Sequence, residues 1–137
     1  MSGMEYRPLG ESGLMISAVC LGTWVIGGEG RLTGKFNAST TFSEDDNRSG
    51  NPMFRGEAFK EHLAAVEKLK PIAAKYGKTL AQLAIAWNLH QPGVTTALTG
   101  ARRPEQVEEN AGGAGWQISQ SDLDEIEGIF AGLTELE

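Results

Sequence analysis

Thr99-Gly100-Ala101-Arg102-Arg103-Pro104-Glu105-Gln106-Val107-Glu108-Glu109-Asn110 reads as a strand end, a tight basic turn and a helix start. Pro104 suits the first helical position, where its missing N–H would have no intrahelical partner. The N–H groups of that helix start, with Arg102 and Arg103 beside them, make a site suited to phosphate. Gln106, Glu109 and Asn110 recur at helical spacing, so they present polar groups on one face. A surface helix behind a basic turn accounts for the same residues without any ligand. Spacing alone favours the surface helix.

Working upstream, Val94 to Thr99 is a β-branched run that predicts a strand. Before it, Thr79 starts a helix with Gln82 three positions on as a capping-box partner, and Leu80, Leu83, Ala84, Trp87 and Leu89 supply the buried face. His90 follows at the helix end, where capping or dipole interaction explains it. Glu57 to Tyr76 predicts an amphipathic helix on Phe59, Leu63, Val66, Leu69, Ala73 and Tyr76, kinked or restarted at Pro71 and ended by Gly77. His62 reads as a boundary residue. Residues 37–56 are polar and irregular, and a solvated acidic loop explains Asp45 and Asp46 better than a metal, since no calcium-loop spacing follows them.

At the start of the chain, residues 5–9 and 14–17 flank Gly10-Glu11-Ser12-Gly13 and predict a hairpin. Ala18 to Trp24 reads as a short buried strand. The glycines of Val25-Ile26-Gly27-Gly28-Glu29-Gly30 lack the spacing of a P-loop or a dinucleotide fingerprint. Downstream of the opening stretch, Pro104 to about Ala111 is a helix. Gly112, Gly113 and Gly115 interrupt the chain before a last helix starting at Ser121 with Asp124, its stripe Leu123, Ile126, Phe130 and Leu133.

With 137 residues the chain can bury a real core as one domain, divided as 1–29 and 30–137, yet falls well short of the ~250 residues of a complete (β/α)8 barrel. The net charge of −6 argues against a nucleic-acid surface or a polybasic membrane anchor. One cysteine, Cys20, excludes an internal disulfide framework and is expected to be buried as a small hydrophobe. No apolar run approaches spanning length and no signal peptide opens the chain, so a cytoplasmic location is expected.

Gly100 to Asn110 resembles the segment with which aldo-keto reductases hold the adenosine 2′-phosphate and adenine of NADPH. Leu80 to Leu89, then Gln91-Pro92-Gly93-Val94-Thr95, resembles that family's last helix–strand unit. Met4-Glu5-Tyr6-Arg7-Pro8-Leu9-Gly10 through Cys20-Leu21-Gly22-Thr23-Trp24 resembles its N-terminal hairpin and first barrel strand. Gly30-Arg31-Leu32-Thr33-Gly34-Lys35-Phe36 resembles the loop after its seventh strand, and residues 37–56 a loop that folds over the cofactor. The middle of the family's barrel has no counterpart here.

The resemblance implies a helix-dominated α/β fold: a partial (β/α)8 (TIM) barrel, with an N-terminal hairpin, few parallel strands and no closure. It implies NADP(H) as cofactor, with Arg102 and Arg103 on the 2′-phosphate and Gln106, Glu109 and Asn110 around the adenine next to Gly100. Lys35, with the backbone from Leu32 to Gly34, would meet the pyrophosphate, and Thr23 and Trp24 would lie toward the nicotinamide. The family's catalysis uses an Asp and a Tyr a few residues apart, then a Lys and a His on later strands. Tyr6 and Tyr76 have no such Asp before them, and His62 and His90 fall in segments matching late helices, so no catalytic residue is assigned. Three functions follow: an NADP(H)-binding remnant without ordinary carbonyl reductase activity; a structural protein that self-associates without nucleotide, because orphaned barrel faces favour a homo-oligomer; or an NADPH-dependent oxidoreductase with a site rebuilt between subunits.

Overall fold

Gly10 and Gly13 have φ of 53° and 74°, left-handed values open to a residue without a Cβ. In the computed structural model, which describes residues 4–21, 36–37, 39–50, 54 and 56–133, they turn the chain between β1 (Tyr6–Pro8) and β2 (Met15–Ser17). These strands pair antiparallel with Arg7 opposite Ile16, which is the expected hairpin. The Ala18 N–H donates to Glu5 O at 2.8 Å as the chain passes into β3 (Val19–Leu21). Then come α1 (Asn47–Gly50), α2 (Gly56–Lys75), α3 (Leu80–His90), β4 (Ala97–Thr99), α4 (Pro104–Ala111) and α5 (Gln120–Ala131).

β3 and β4 pair in parallel, with Cys20 opposite Leu98. A parallel pair requires a long crossover, and the first three helices lie within it. In a closed barrel the first and last strands are neighbours, so a parallel β3–β4 pair is what the expected likeness of these segments to a barrel's first and last units requires. Among the described residues the sheet stops at these two strands. The result is a helix-rich α/β arrangement with few strands and no closed barrel.

The chain divides into two units, one drawn from Met1–Gly28 and Ala81–Ser119, the other from Glu29–Leu80 and Gln120–Glu137. In the first, Ala18, Val19, Ile85, Leu89 and Ala97 form a buried cluster, with Val94 and Ala114 against it. α3 therefore buries Leu83, Ile85, Ala86 and Leu89, while Leu80, Ala84 and Trp87 are only half-buried. The helix is apolar almost all round, so periodicity could not choose its inward face. Cys20, expected to be buried, is half-exposed. Its alternate Val19 points to the core, and successive strand residues face opposite sides.

In the second unit α2 buries Phe59, His62, Ala65, Val66, Leu69, Ile72 and Ala73 and packs against α5, whose Ile126 is likewise buried. His62 is thus inside rather than at the boundary, its Nδ1 2.7 Å from the Ala58 carbonyl. α2 runs on through Pro71 instead of restarting: Pro71 is exposed, and burial of Leu69, Ile72 and Ala73 beside it holds the helix across the missing donor. Gly77 ends the turn with φ of 61°, and the Lys78 N–H donates back to Ala73 O at 3.0 Å.

α5 starts at Gln120, so Ser121 and Asp124 lie within its first turns rather than at the cap. What anchors that start is Asp122, buried and accepting from Lys75 Nζ at 2.6 Å and Tyr76 OH at 2.5 Å. The segment read as a polar loop contains α1 and two members, Phe42 and Phe54, of an aromatic cluster. Phe36, Phe42 and Phe54 meet edge-to-face with centroids 5.2 to 5.7 Å apart, and Phe59 of α2 adjoins Phe54 at 6.0 Å.

Candidate functional site

β4 delivers the chain into the turn 100–103, and Pro104 then opens α4. Arg103 is the N-cap, extended at φ −144° and ψ 149°, and contributes no side-chain capping bond. A serine or aspartate there would give the helix start an acceptor; Arg103 brings a cation instead. The turn is braced from within. The Arg102 N–H donates to Gln106 Oε1 at 2.7 Å, and Asn110 Nδ2 donates to Gly100 O at 3.0 Å. These bonds brace the corner on which Arg102 and Arg103 are both exposed.

Beside the corner is an open groove of about 520 Å³ lined by Ala101, Arg102, Arg103, Pro104, Val107 and Glu108. Its chemistry is mixed: two arginines and the Glu108 carboxylate in the lining, and apolar surface from Pro104 and the exposed Val107. Guanidinium geometry matches phosphate oxygens, and the apolar patch offers a flat base something to lie on. Gln106, Glu109 and Asn110 are half-buried along α4. Gly100, Arg102, Arg103, Gln106, Glu109 and Asn110 are therefore gathered on one turn and helix. Thr23, Trp24, Leu32, Gly34 and Lys35 lie outside the described residues.

Sequence reasoning missed the support from α3. Gln82, read as a cap partner, donates from Nε2 to Glu109 O at 3.0 Å and so ties α3 to the far end of α4. The signal was in the spacing: Gln82, Ile85 and Leu89 share a helix face, and the latter two are core. Gly112 and Gly113 complete the joint. A Cβ on Gly112 would meet the Gln82 amide, and one on Gly113 would come within 2.7 Å of Ile85.

Tyr76 and both histidines are held in structural hydrogen bonds. Tyr76 gives its phenol proton to Asp122, the same carboxylate that takes Lys75 Nζ. Lys75 is pushed above its ordinary value chiefly by its hydrogen bond to Asp122. Tyr6 is exposed on β1, and His62 and His90 each place Nδ1 on a carbonyl four residues back. The Cys20 thiol is drawn below its usual range by hydrogen bonds with Ser17 and then Thr96. No group of three metal-ligating side chains occurs among the described residues, and no described helix is long and apolar enough to cross a membrane.

Residues 18–131 match the Aldo/keto reductase family. The chain is 43% identical over 102 residues to aldo-keto reductase YhdN of Bacillus subtilis, covering 74% of this chain and 31% of that protein. It is 33% identical over 99 residues to aldo-keto reductase yakc of Schizosaccharomyces pombe, whose name carries NADP(+), covering 72% and 29%. Among solved structures, the glycerol dehydrogenase of Gluconobacter oxydans superposes with a TM-score of 0.71 at 35% identity, over 79% of this chain and 33% of that one. The chain thus spans about a third of the length of the relatives it matches. On the family match and the partial coverage of its relatives, this chain belongs to the aldo/keto reductase family, as a truncated form of its barrel.

Proposed function

We propose that the chain is an NADP(H)-binding remnant: it binds the adenosine half of NADP(H) at the 100–103 turn and the start of α4, and does not reduce carbonyls by the family's route. The observation that carries this reading is the pair of exposed guanidiniums, Arg102 and Arg103, at a helix N-terminus whose cap residue supplies no side-chain acceptor. A 2′-phosphate at this helix start is favoured by the helix N-terminus and pairs with both arginines. Adenine lies on Pro104 and Val107, with Gln106, Glu109 and Asn110 along the same helix.

Bound NADPH would supply a hydride, but reduction also needs an acid to protonate the carbonyl oxygen. Tyr76, whose proton goes to Asp122, is not offered to a substrate. The test is Arg102→Ala with Arg103→Ala. Each charge-assisted bond is worth about 1.5–3 kcal/mol, so NADPH affinity should fall by at least about tenfold while NADH affinity stays nearly constant. Equal losses for both nucleotides would remove the 2′-phosphate assignment.

A second reading, self-association, is favoured by the β3–β4 sheet. Leu98 of β4 is 74% exposed, and among the described residues neither outer edge of the β3–β4 pair is hydrogen-bonded to a further strand. A second copy of the chain is the occupant this reading puts there.

A further inference from the structure

His90 closes α3 and reaches across to the connection between α4 and α5. Its Nδ1 lies 2.7 Å from Ala86 O. A carbonyl can only accept, so Nδ1 carries the ring proton. That assignment settles what the other nitrogen can do. In the neutral ring Nε2 is an acceptor, and the Ile118 N–H donates to it at 3.3 Å. In the imidazolium Nε2 becomes a donor, and Gln117 Oε1 stands 3.0 Å away to accept. Adjacent residues thus offer the same nitrogen opposite partners: a main-chain donor for the neutral ring and a side-chain acceptor for the charged one. A half-turn of the Gln117 amide presents its NH2 to the neutral ring, so only the Ile118 bond is tied to one protonation state.

We propose that His90 is a proton-operated latch on the Gly112–Ser119 connection. The neutral ring holds the Ile118 main chain against the end of α3. Protonation transfers the contact to the Gln117 side chain and releases the Ile118 amide. Ile118 itself is buried, so losing its main-chain bond loosens the segment that this side chain anchors.

The charged groups around the ring come from β1 and its entry. Arg7 Nη1 donates to Leu89 O at 3.0 Å and Nε to Glu5 Oε1 at 2.8 Å, while Glu5 Oε2 accepts the Gly115 N–H at 2.8 Å. Glu5 and Arg7 are the two charged side chains beside the ring. Residues 111–118 carry no charged side chain, nor does the rest of α3 or β4. The Arg7 hydrogen bond, against some desolvation, holds Glu5 below the usual carboxylate range. Glu5 therefore stays ionised while an imidazole titrates, and its bond to Gly115 persists as the Ile118 bond is lost.

The experiment is amide exchange by NMR on the whole chain at about pH 8 and about pH 5.5, either side of the range in which imidazoles gain charge. Rates are corrected for the intrinsic pH dependence of exchange. Ile118 protection should drop by about tenfold or more at the lower pH, as one bond worth roughly 1.4 kcal/mol is lost. The Ala97 amide, which donates to Ala18 O, should not change. Nitrogen shifts should report the Nδ1–H tautomer of His90 at pH 8. His90→Gln should remove the pH dependence at Ile118. Equal Ile118 protection at the two pH values, an Nε2–H tautomer at pH 8, or a pH effect that survives His90→Gln would each overturn the latch. The first two need only the unmodified protein, so a poorly folded variant does not shield the proposal.

Discussion

Gly113→Ala probes the joint that seats α4, and its cost can be worked from the contacts. A Cβ at this position would lie 2.7 Å from both Cβ and Cγ2 of Ile85 and 3.1 Å from Asn110 O. Carbon atoms rest at about 3.5–4.0 Å, so something must move by roughly 1 Å. Ile85 is a buried core residue and cannot swing aside. Asn110 O is main chain and accepts the Gly113 N–H at 2.9 Å. Overpacking of this kind costs about 1–3 kcal/mol. The alanine returns about 0.4–1 kcal/mol by restricting the unfolded chain, leaving a net loss of roughly 1–2 kcal/mol. Gly112→Ala is the internal comparison, because its nearest neighbour is the Gln82 amide, the end of a flexible side chain. Gln82 can rotate away at the loss of its bond to Glu109 O, about 1 kcal/mol or less. Urea unfolding followed by tryptophan fluorescence reads both. With an m-value of about 1–3 kcal/mol/M, Gly113→Ala should lower the midpoint by roughly 1 M and Gly112→Ala by clearly less. A Gly113→Ala protein as stable as the parent, or a reversed order, would refute the close approach of α3 and α4.

Two further outcomes follow. Glu5 is held below its ordinary value of 4.5, first by the Arg7 hydrogen bond; a depressed acid stabilises the folded state above its unfolded pKa, and that contribution fades as pH falls through the folded value. Acid unfolding of the parent should therefore include a component below about pH 4.5 that Glu5→Gln lacks, and superimposable pH–stability curves would contradict this. Sedimentation at rising concentration should show reversible dimers if the Leu98 face is covered by a second copy, and a monomer throughout would set that reading aside.

The local chemistry of the chain was legible where one residue type dictates one backbone state. Gly10 and Gly13 mark the hairpin because the turn needs positive φ there, and Pro104 fixes the start of α4 because the ring fits only the first turn. The basic corner at Arg102 and Arg103 was legible for the same reason. What was hidden depends on distance along the chain. Phe36, Phe42, Phe54 and Phe59 share no period, so nothing in a local window predicts that they cluster. Asp122 looks like an ordinary helix-start acid until Lys75 and Tyr76 arrive from 47 and 46 residues away. Gln82 had a local explanation, and the tertiary bond to Glu109 lay outside it. Gln106 and Asn110 were read as ligand groups; each also braces the turn, a role visible only once the loop closes.

The most direct test of nucleotide binding is a calorimetric titration of the purified chain with NADPH, with NADH as control. Saturable binding selective for NADPH is the predicted result, since the two nucleotides differ by the 2′-phosphate assigned to Arg102 and Arg103. No heat and no saturation with NADPH up to millimolar concentration would contradict it and leave the turn as a basic corner on an inherited scaffold.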